Sequence, residues 1–241
     1  MAIAGWAENL PQDIADITPA HWRSLPQVDL LAAGPPCQPF SSAGQQRGWG
    51  DHRSQPFVCV TEIIAHLHRA QGQISYMIEN VPAAIHFPEL TQALGCPVLL
   101  RAHMLGSTAK RDTLIWTNGA CLHTAWQKIE RSYEASNCTA LLQVLQQHNL
   151  SPEWQTRGAW QTILPKFVSR ISSWNFRDEA PGMLLHHGVL EEPSPEIREV
   201  CMGYEIGTTA GEGVSPGLRH TVLGACIDLN LAKWVISMMV Q

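Results

Sequence analysis

Cys37 and Glu79 stand out by their residue types and their settings. Cys37 lies in "AAGPPCQPFSSAGQQRGWGDHRS", residues 32–54, between Pro36 and Pro39, where a short apolar segment gives way to a polar, glycine-containing run. Glu79 lies in "ISYMIEN", 42 positions later, just before Val81-Pro82. A structural cysteine belongs inside an apolar run, whereas one placed where the chain leaves a sheet for solvent sits where a thiolate nucleophile would. A carboxyl group facing the same cleft gives or takes protons. A thiol-dependent hydrolase would need a histidine coupled to Cys37. Of the eleven histidines none is tied to it by motif, and His52 is close only along a loop.

The elements that must position these groups follow from periodicity. "VDLLAAG", residues 28–34, reads as a short buried strand ended by Gly34 and Pro35-Pro36. "PFVCVTEIIAHLHRA" places Phe57, Val60, Thr61, Ile64 and Leu67 on one helical face. Residues 74–80 read as a second strand. Strand, loop, helix and strand make a βαβ unit, with parallel strands joined right-handedly. In open α/β sheets ligands bind outside the carboxyl ends of the strands, so Cys37 and Glu79 are expected at one cleft. "CPVLLRAHM" and "DTLIW", joined by "LGSTAKR", read as a hairpin whose second strand runs antiparallel to the first two. That brings Lys110 and Arg111 to the same edge.

From Asn118 to Glu191 the pattern weakens into tryptophan-rich sequence with one helix, "TALLQVLQQHNL". Within it, residues 154–177 carry Arg157, Lys166, Arg170 and Arg177 with no acid, interleaved with Trp154, Trp160, Phe167, Trp174 and Phe176. This is either a basic, aromatic nucleic-acid face or an ordinary lobe with aromatic core and solvated charges. The closing "LGACIDLNLAKWVISMMV" reads as one amphipathic helix, with Leu223, Ile227, Leu231 and Val235 in helical phase, packing back on the sheet.

With 241 residues, 45% of them hydrophobic, the chain supports one sizeable domain, or a domain and a smaller lobe. The net charge of −5 neither advertises nor excludes a nucleic-acid partner, which needs only a local basic face. The seven cysteines are odd in number and lack metal-like spacing. No secretion signal opens the chain, and "WVISMMV" is too short to span a bilayer. The expectation is a reduced, intracellular protein without a membrane partner.

Residues 34–54 resemble the catalytic-cysteine motif of the cytosine-5 DNA methyltransferases, Pro-Cys-Gln followed by Phe-Ser and a glycine-rich loop ending in Asp-x-Arg. "IENV" resembles that family's Glu-Asn-Val motif, at a suitable distance from Cys37. "SPEIREVCMGYE" and "RHTVLGACIDLNLAKWV" look like the segments that close the catalytic domain, and "PQDI" is similar to a stretch bordering the methyl donor. The resemblance implies an α/β fold, a Rossmann-like S-adenosylmethionine-dependent methyltransferase sheet, truncated at its N-terminus, with a small inserted target-recognition lobe. Residues 1–118 would be the first part of the catalytic domain, 119–191 the target-recognition region and 192–241 the C-terminal return. It implies Cys37 as nucleophile, Glu79 as protonating and orienting partner, and Arg111 as support for ring and carboxylate. Asp13, Ile14 and Pro36 would border the S-adenosylmethionine, and double-stranded DNA would be the substrate. The loop from Ser41 to Asp51, with Gly44, Gly48 and Gly50, would close over the base.

The chain also departs from the family pattern. Its Phe-x-Gly-x-Gly donor turn is missing from "MAIAGWAEN", and Glu8 poorly suits the ribose-binding acid. Its Gln-x-Arg-x-Arg is reduced to Ala109, Arg111 and Thr113, and Ala225 stands where an asparagine commonly follows the glycine. Two readings follow: an enzyme whose donor-binding start is cut off or supplied by a complementary polypeptide, or a non-catalytic relative that binds DNA or a partner.

Overall fold

The structure is a computed structural model that describes residues 10–41, 47–133, 141–150, 154–155, 163–169, 173–177 and 180–239. The chain forms two units, residues 1–99 with 113–122, and residues 100–112 with 123–241.

The larger sheet has the order β1-β2-β4-β3, with β1 Leu30–Ala33, β2 Ser75–Asn80, β3 Val98–Arg101 and β4 Asp112–Thr117. Between β1 and β2 runs α2, Gln55–Gln71, after a short α1, Pro19–Arg23. Pro56 in its first turn and Gly72 beyond its end, at φ 86°, set the limits of α2. It buries Phe57, Val60, Ile63, Ile64 and Leu67, while Thr61 is only half-buried. β1 and β2 are parallel, with Ala33 opposite Ile78. β2 and β4 are antiparallel, with Glu79 opposite Ile115 and Asn80 opposite Leu114. The βαβ unit and the reversed strand therefore match the sequence reading. β1 does not match as a buried strand: it lies at the sheet edge, Ala32 is exposed, and Leu31 and Ala33 are half-buried. A strand with one neighbour has no second strand to cover it, and hydrophobicity alone does not reveal that.

An aromatic cluster supports the ends of β1 and β2. The Phe40 ring meets Phe57 at 5.8 Å, Phe87 at 4.9 Å and Trp49 at 6.0 Å, all edge-on. Such pairs add about 0.5–1.5 kcal/mol each beyond their area burial. Phe87 follows a short 3-10 turn and precedes α3, Pro88–Leu94.

In the second unit, α4 (Leu122–Ser132) was not expected from the sequence; its Trp126 is buried and meets Trp234 at 5.8 Å. α5, Leu141–Gln147, is the helix expected in the lobe, and buries Leu141 and Leu145. β5 (Trp154–Gln155), β6 (Leu184–His186) and β7 (Val189–Glu191) form a small antiparallel sheet. The β6–β7 turn places His187 at φ 48° and Gly188 at φ 81°, the paired positive angles that a two-residue hairpin requires. α6 (Pro195–Cys201) carries charge into the interior. Arg198 donates to Glu192 and to the Pro193 carbonyl, and stacks over Phe167 at 4.8 Å and Phe176 at 5.1 Å. The fully buried Glu199 accepts from the Gly207 and Thr209 amides at 2.7 Å and from Arg219 at 3.1 Å.

The last segment is two helices rather than one, α7 (Pro216–Ala225) and α8 (Leu229–Met239). Asp228 makes the break: fully buried, it accepts the Leu231 amide on Oδ1 at 3.1 Å and so opens α8. The stretch from Pro216 to Met239 is long and apolar enough to pass for a membrane span, yet this buried acid interrupts it. Its Oδ2 finds no hydrogen-bond partner among the described residues. Burial pushes the Asp228 carboxyl up to about 6, against the pull of the nearby Ser107 hydroxyl, the Leu231 amide and Arg111. Between its ordinary value near 3.8 and about 6, the folded state holds a proton that the unfolded state has released. Stability therefore falls as pH rises through that window. Asp228→Asn keeps a helix-capping oxygen and removes the titration. Its urea-unfolding free energy should lose this fall between pH 4 and 7, a gain on the order of 2 kcal/mol at neutral pH.

Candidate active site

Cys37 is presented by a tight turn directly after β1. The Phe40 and Ser41 amides donate to its carbonyl at 3.0 and 2.8 Å, and Phe40 plugs the turn into the aromatic cluster with no exposed surface. Cys37 is half-buried, whereas Pro35 and Pro39 are buried. Burial pushes the Cys201 thiol up to about 12 and raises that of the half-buried Cys226, which makes both poor nucleophiles at neutral pH.

The turn is tied to the end of β2. Asn80, fully buried, donates through Nδ2 to the Pro35 carbonyl at 3.2 Å and accepts the Val81 amide on Oδ1 at 2.9 Å. Prolines lack an N–H, so Pro35-Pro36 cannot tie the turn down by donating, and the Asn80 amide does it through the Pro35 carbonyl. Its neighbour Glu79 lies beside Gly34, where a Cβ would be 3.6 Å from Glu79 Oε2. The thiol-bearing turn and the carboxyl group thus leave the sheet from adjacent parallel strands, as the sequence implied.

β4 supplies a third group. The Thr113 hydroxyl is buried and lies 2.7 Å from the Asn80 carbonyl, to which it donates, and it also hydrogen-bonds Glu79 Oε1. The sequence reading noted Thr113 only as a departure from an arginine. The antiparallel register marks its importance, because it puts the start of β4 beside the end of β2. Arg111 belongs to the second unit, where it is buried with Nη1 3.5 Å from the Gly224 carbonyl.

The loop after the turn is anchored at its far end. Gly48 has φ 53°, and a Cβ there would meet the Phe87 ring at 2.3 Å, so the position needs glycine. Arg53 grips Asp51 through Nε at 2.9 Å and Nη2 at 2.6 Å, which holds the Asp51 carboxyl well below the usual range. This ion pair is structural. Gly44 lies outside the described residues, and nothing crowds a Cβ at Gly50. Asp13 is exposed, with Oδ1 accepting the Ala15 amide at 2.8 Å. Ile14 packs against both apolar clusters of the first unit, and Pro36 is half-buried next to Cys37.

Residues 2–93, which hold Cys37 and Glu79 together, match the profile of the C-5 cytosine-specific DNA methylases. Relatives include the type II methyltransferases M.BanI of Aneurinibacillus aneurinilyticus, 42% identical over 69 residues, and M.DsaV of Dactylococcopsis salina, 44% identical over 66. These matches cover 29% and 27% of this chain but only 14% and 18% of the relatives' own lengths. The fold is that of Rossmann-like methyltransferases. The S. pombe Dnmt2 methyltransferase overlays 95% of this chain and 83% of its own at a TM-score of 0.64 and 15% identity. The Entamoeba histolytica methyltransferase EhMeth does so over 95% and 82%, at 0.61 and 13%. The matched segment therefore contains the turn, the carboxyl group and the asparagine that joins their strands.

Asn80→Ala in this segment leaves the Pro35 carbonyl and the Val81 amide without their partner. It should cost about 1–3 kcal/mol in urea unfolding. Alkylation of Cys37 by iodoacetamide, followed by peptide mass spectrometry, should become faster than in the wild type.

Proposed function

We propose that the chain acts in DNA cytosine-5 methylation, with double-stranded DNA as substrate and Cys37 as nucleophile. The observation that carries this reading is the joining of the Cys37 turn to the Glu79 strand end through Asn80. C5 of cytosine is too weak a nucleophile to take a methyl group unaided. The Cys37 thiolate forms a bond to C6, the C5–C6 π pair moves toward N3, and the Glu79 carboxyl gives N3 a proton. C5 thereby becomes enamine-like. The enamine pair then forms the C5–methyl bond, a water molecule takes the C5 proton, and the C5–H pair becomes the C5–C6 double bond. Cys37 leaves as thiolate and N3 returns its proton to Glu79. Since C6 is inaccessible in stacked DNA, the cytosine is flipped out of the duplex. Arg111 is proposed to support ring and carboxylate.

S-adenosylmethionine is the methyl source in this reading and supplies an electrophilic methyl group to C5. Asp13 commits one carboxylate oxygen to Ala15 and is otherwise exposed, next to the aliphatic Ile14. An acceptor beside an apolar surface suits a purine with an exocyclic amine, so Asp13, Ile14 and Pro36 would hold this co-substrate. A complementary polypeptide contributing further donor contacts is compatible with the short overlap with the curated relatives.

In the lobe, Phe167 and Phe176 are buried against Arg198, which makes them core rather than base-contacting groups. Trp174 is 74% exposed, and together with Lys166 and Arg177 it is the described part of the proposed DNA face. Arg157, Trp160 and Arg170 lie outside the described residues.

The test is trapping on a duplex that carries 2-pyrimidinone in place of cytosine, which adds a thiolate at C6 without needing a methyl donor. The wild type should form a covalent adduct that survives denaturing electrophoresis, and Cys37→Ser should form none. Glu79→Gln should slow adduct formation by about 10²–10⁴-fold. A wild-type chain that binds the duplex without any adduct would favour the non-catalytic, DNA-binding reading instead.

A further inference from the structure

The Thr113 hydroxyl has one hydrogen and two oxygen neighbours, the Asn80 carbonyl at 2.7 Å and Glu79 Oε1. It is 2% exposed, which leaves water little access to either contact. Both contacts are filled at once only if the two hydroxyl roles are divided. When the Glu79 proton sits on Oε1, the carboxyl donates to Thr113 Oγ1 and Thr113 donates to the Asn80 carbonyl; for delivery to N3 the proton sits on Oε2, and Thr113 then donates to Oε1. When Glu79 has released its proton, Thr113 turns its hydrogen to the carboxylate. A hydroxyl is both donor and acceptor, so it can hold the carboxyl group in either form; a guanidinium or ammonium group only donates.

We propose that Thr113 is a positioning residue for Glu79, which keeps the carboxyl group aimed at the cleft while its proton passes to the substrate and back. The inference rests on the cytosine reading above and adds to it a residue that acts through Glu79 without touching substrate. Asn80 couples the device to the nucleophile. The carbonyl that receives the Thr113 hydrogen belongs to the same residue whose side chain holds the Pro35 carbonyl of the Cys37 turn. One residue thereby keeps the thiol-bearing turn and the proton-carrying group in register.

The experiment measures the rate of Cys37 adduct formation on the 2-pyrimidinone duplex at saturating DNA, and separately the affinity for that duplex. Thr113→Val, which keeps the shape and removes the hydroxyl, should slow adduct formation about tenfold with unchanged affinity, the scale of one charge-assisted hydrogen bond. Thr113→Ser should restore the rate to within about threefold, which separates a hydroxyl effect from a packing effect. Placed on Glu79→Gln, Thr113→Val should add no further slowing, because its route runs through the carboxyl group. If Thr113→Val does not fold, the comparison of Thr113→Ser with Thr113→Ala carries the same prediction. A wild type that reacts, with a hydroxyl-free variant that reacts equally fast or with full additivity on Glu79→Gln, overturns the role of Thr113 alone. A wild type that binds the duplex and forms no adduct overturns the cytosine reading, and the inference falls with it.

Discussion

A primary amide sealed from water has to find its partners inside the protein, and the Asn80 side chain finds them in the Cys37 turn and just past the end of β2. It donates to the carbonyl of Pro35 and accepts from the amide of Val81. The first bond closes the gap between two strand ends that the sheet ladder no longer connects, since the β1–β2 pairing stops at Ala33 and Ile78. The second fixes the direction in which the chain leaves β2. With Pro35-Pro36 restricting φ and offering no N–H groups, the carbonyl of Pro35 is the handle by which the turn is held. The positions of Cys37 and Glu79 relative to one another are consequences of this bond.

The two units achieve internal order by different physics. In the first, the ends of β1 and β2 rest on an aromatic cluster, and Cys37 and Glu79 are half-buried. In the second, charge is taken deep inside and matched closely: Arg198 with Glu192, Arg219 with Glu196 and Glu199. Buried pairs of this kind offset their own desolvation and contribute geometric definition more than stability. Removing one member leaves the other charged and unpaired, so such a network tolerates little change. The first unit carries Cys37 and Glu79 without that liability.

What the sequence disclosed, and what it hid, follows the reach of each signal. Short-range periodicity located α2, β2 and the reversed β4, because the helix face and the six-residue strand each repeat within one element. The adjacency of Cys37 and Glu79 followed from the strand-end rule for parallel sheets. An unpaired sheet edge followed from the missing first strand of the family pattern, but the burial of β1 was misread, because hydrophobicity does not show that an edge strand is open on one side. The break at Asp228 was hidden, because Leu223, Ile227, Leu231 and Val235 keep helical phase across it; the buried acid in the middle of the apolar run was the available sign. α4 went unread although Leu122 and Trp126 stand four apart, and its buried Trp126 was the cue. The hairpin at His187-Gly188 lacks the asparagine or aspartate that normally announces such a turn. Thr113 looked like a loss when set against an expected arginine, and its partners emerge only from the register of β4 on β2.

Thr113 also bears on how the chemistry divides. A carboxyl group held by a donor-only cation is best satisfied as an anion. One held by a hydroxyl that is itself anchored to a backbone carbonyl is satisfied in both of its forms, at the cost of a weaker bond in each. For a group that must release a proton and take it back within one turnover, the second arrangement reduces the difference between the two states. Cys37, Glu79, Asn80 and Thr113 all belong to the first unit, so in the proposed reaction the nucleophile, the proton carrier and the two residues that hold them share one folded body, with Arg111 of the second unit as the added support. None of these four is among the residues proposed to hold the methyl donor, so in the proposed reaction thiol addition can be followed without methyl transfer.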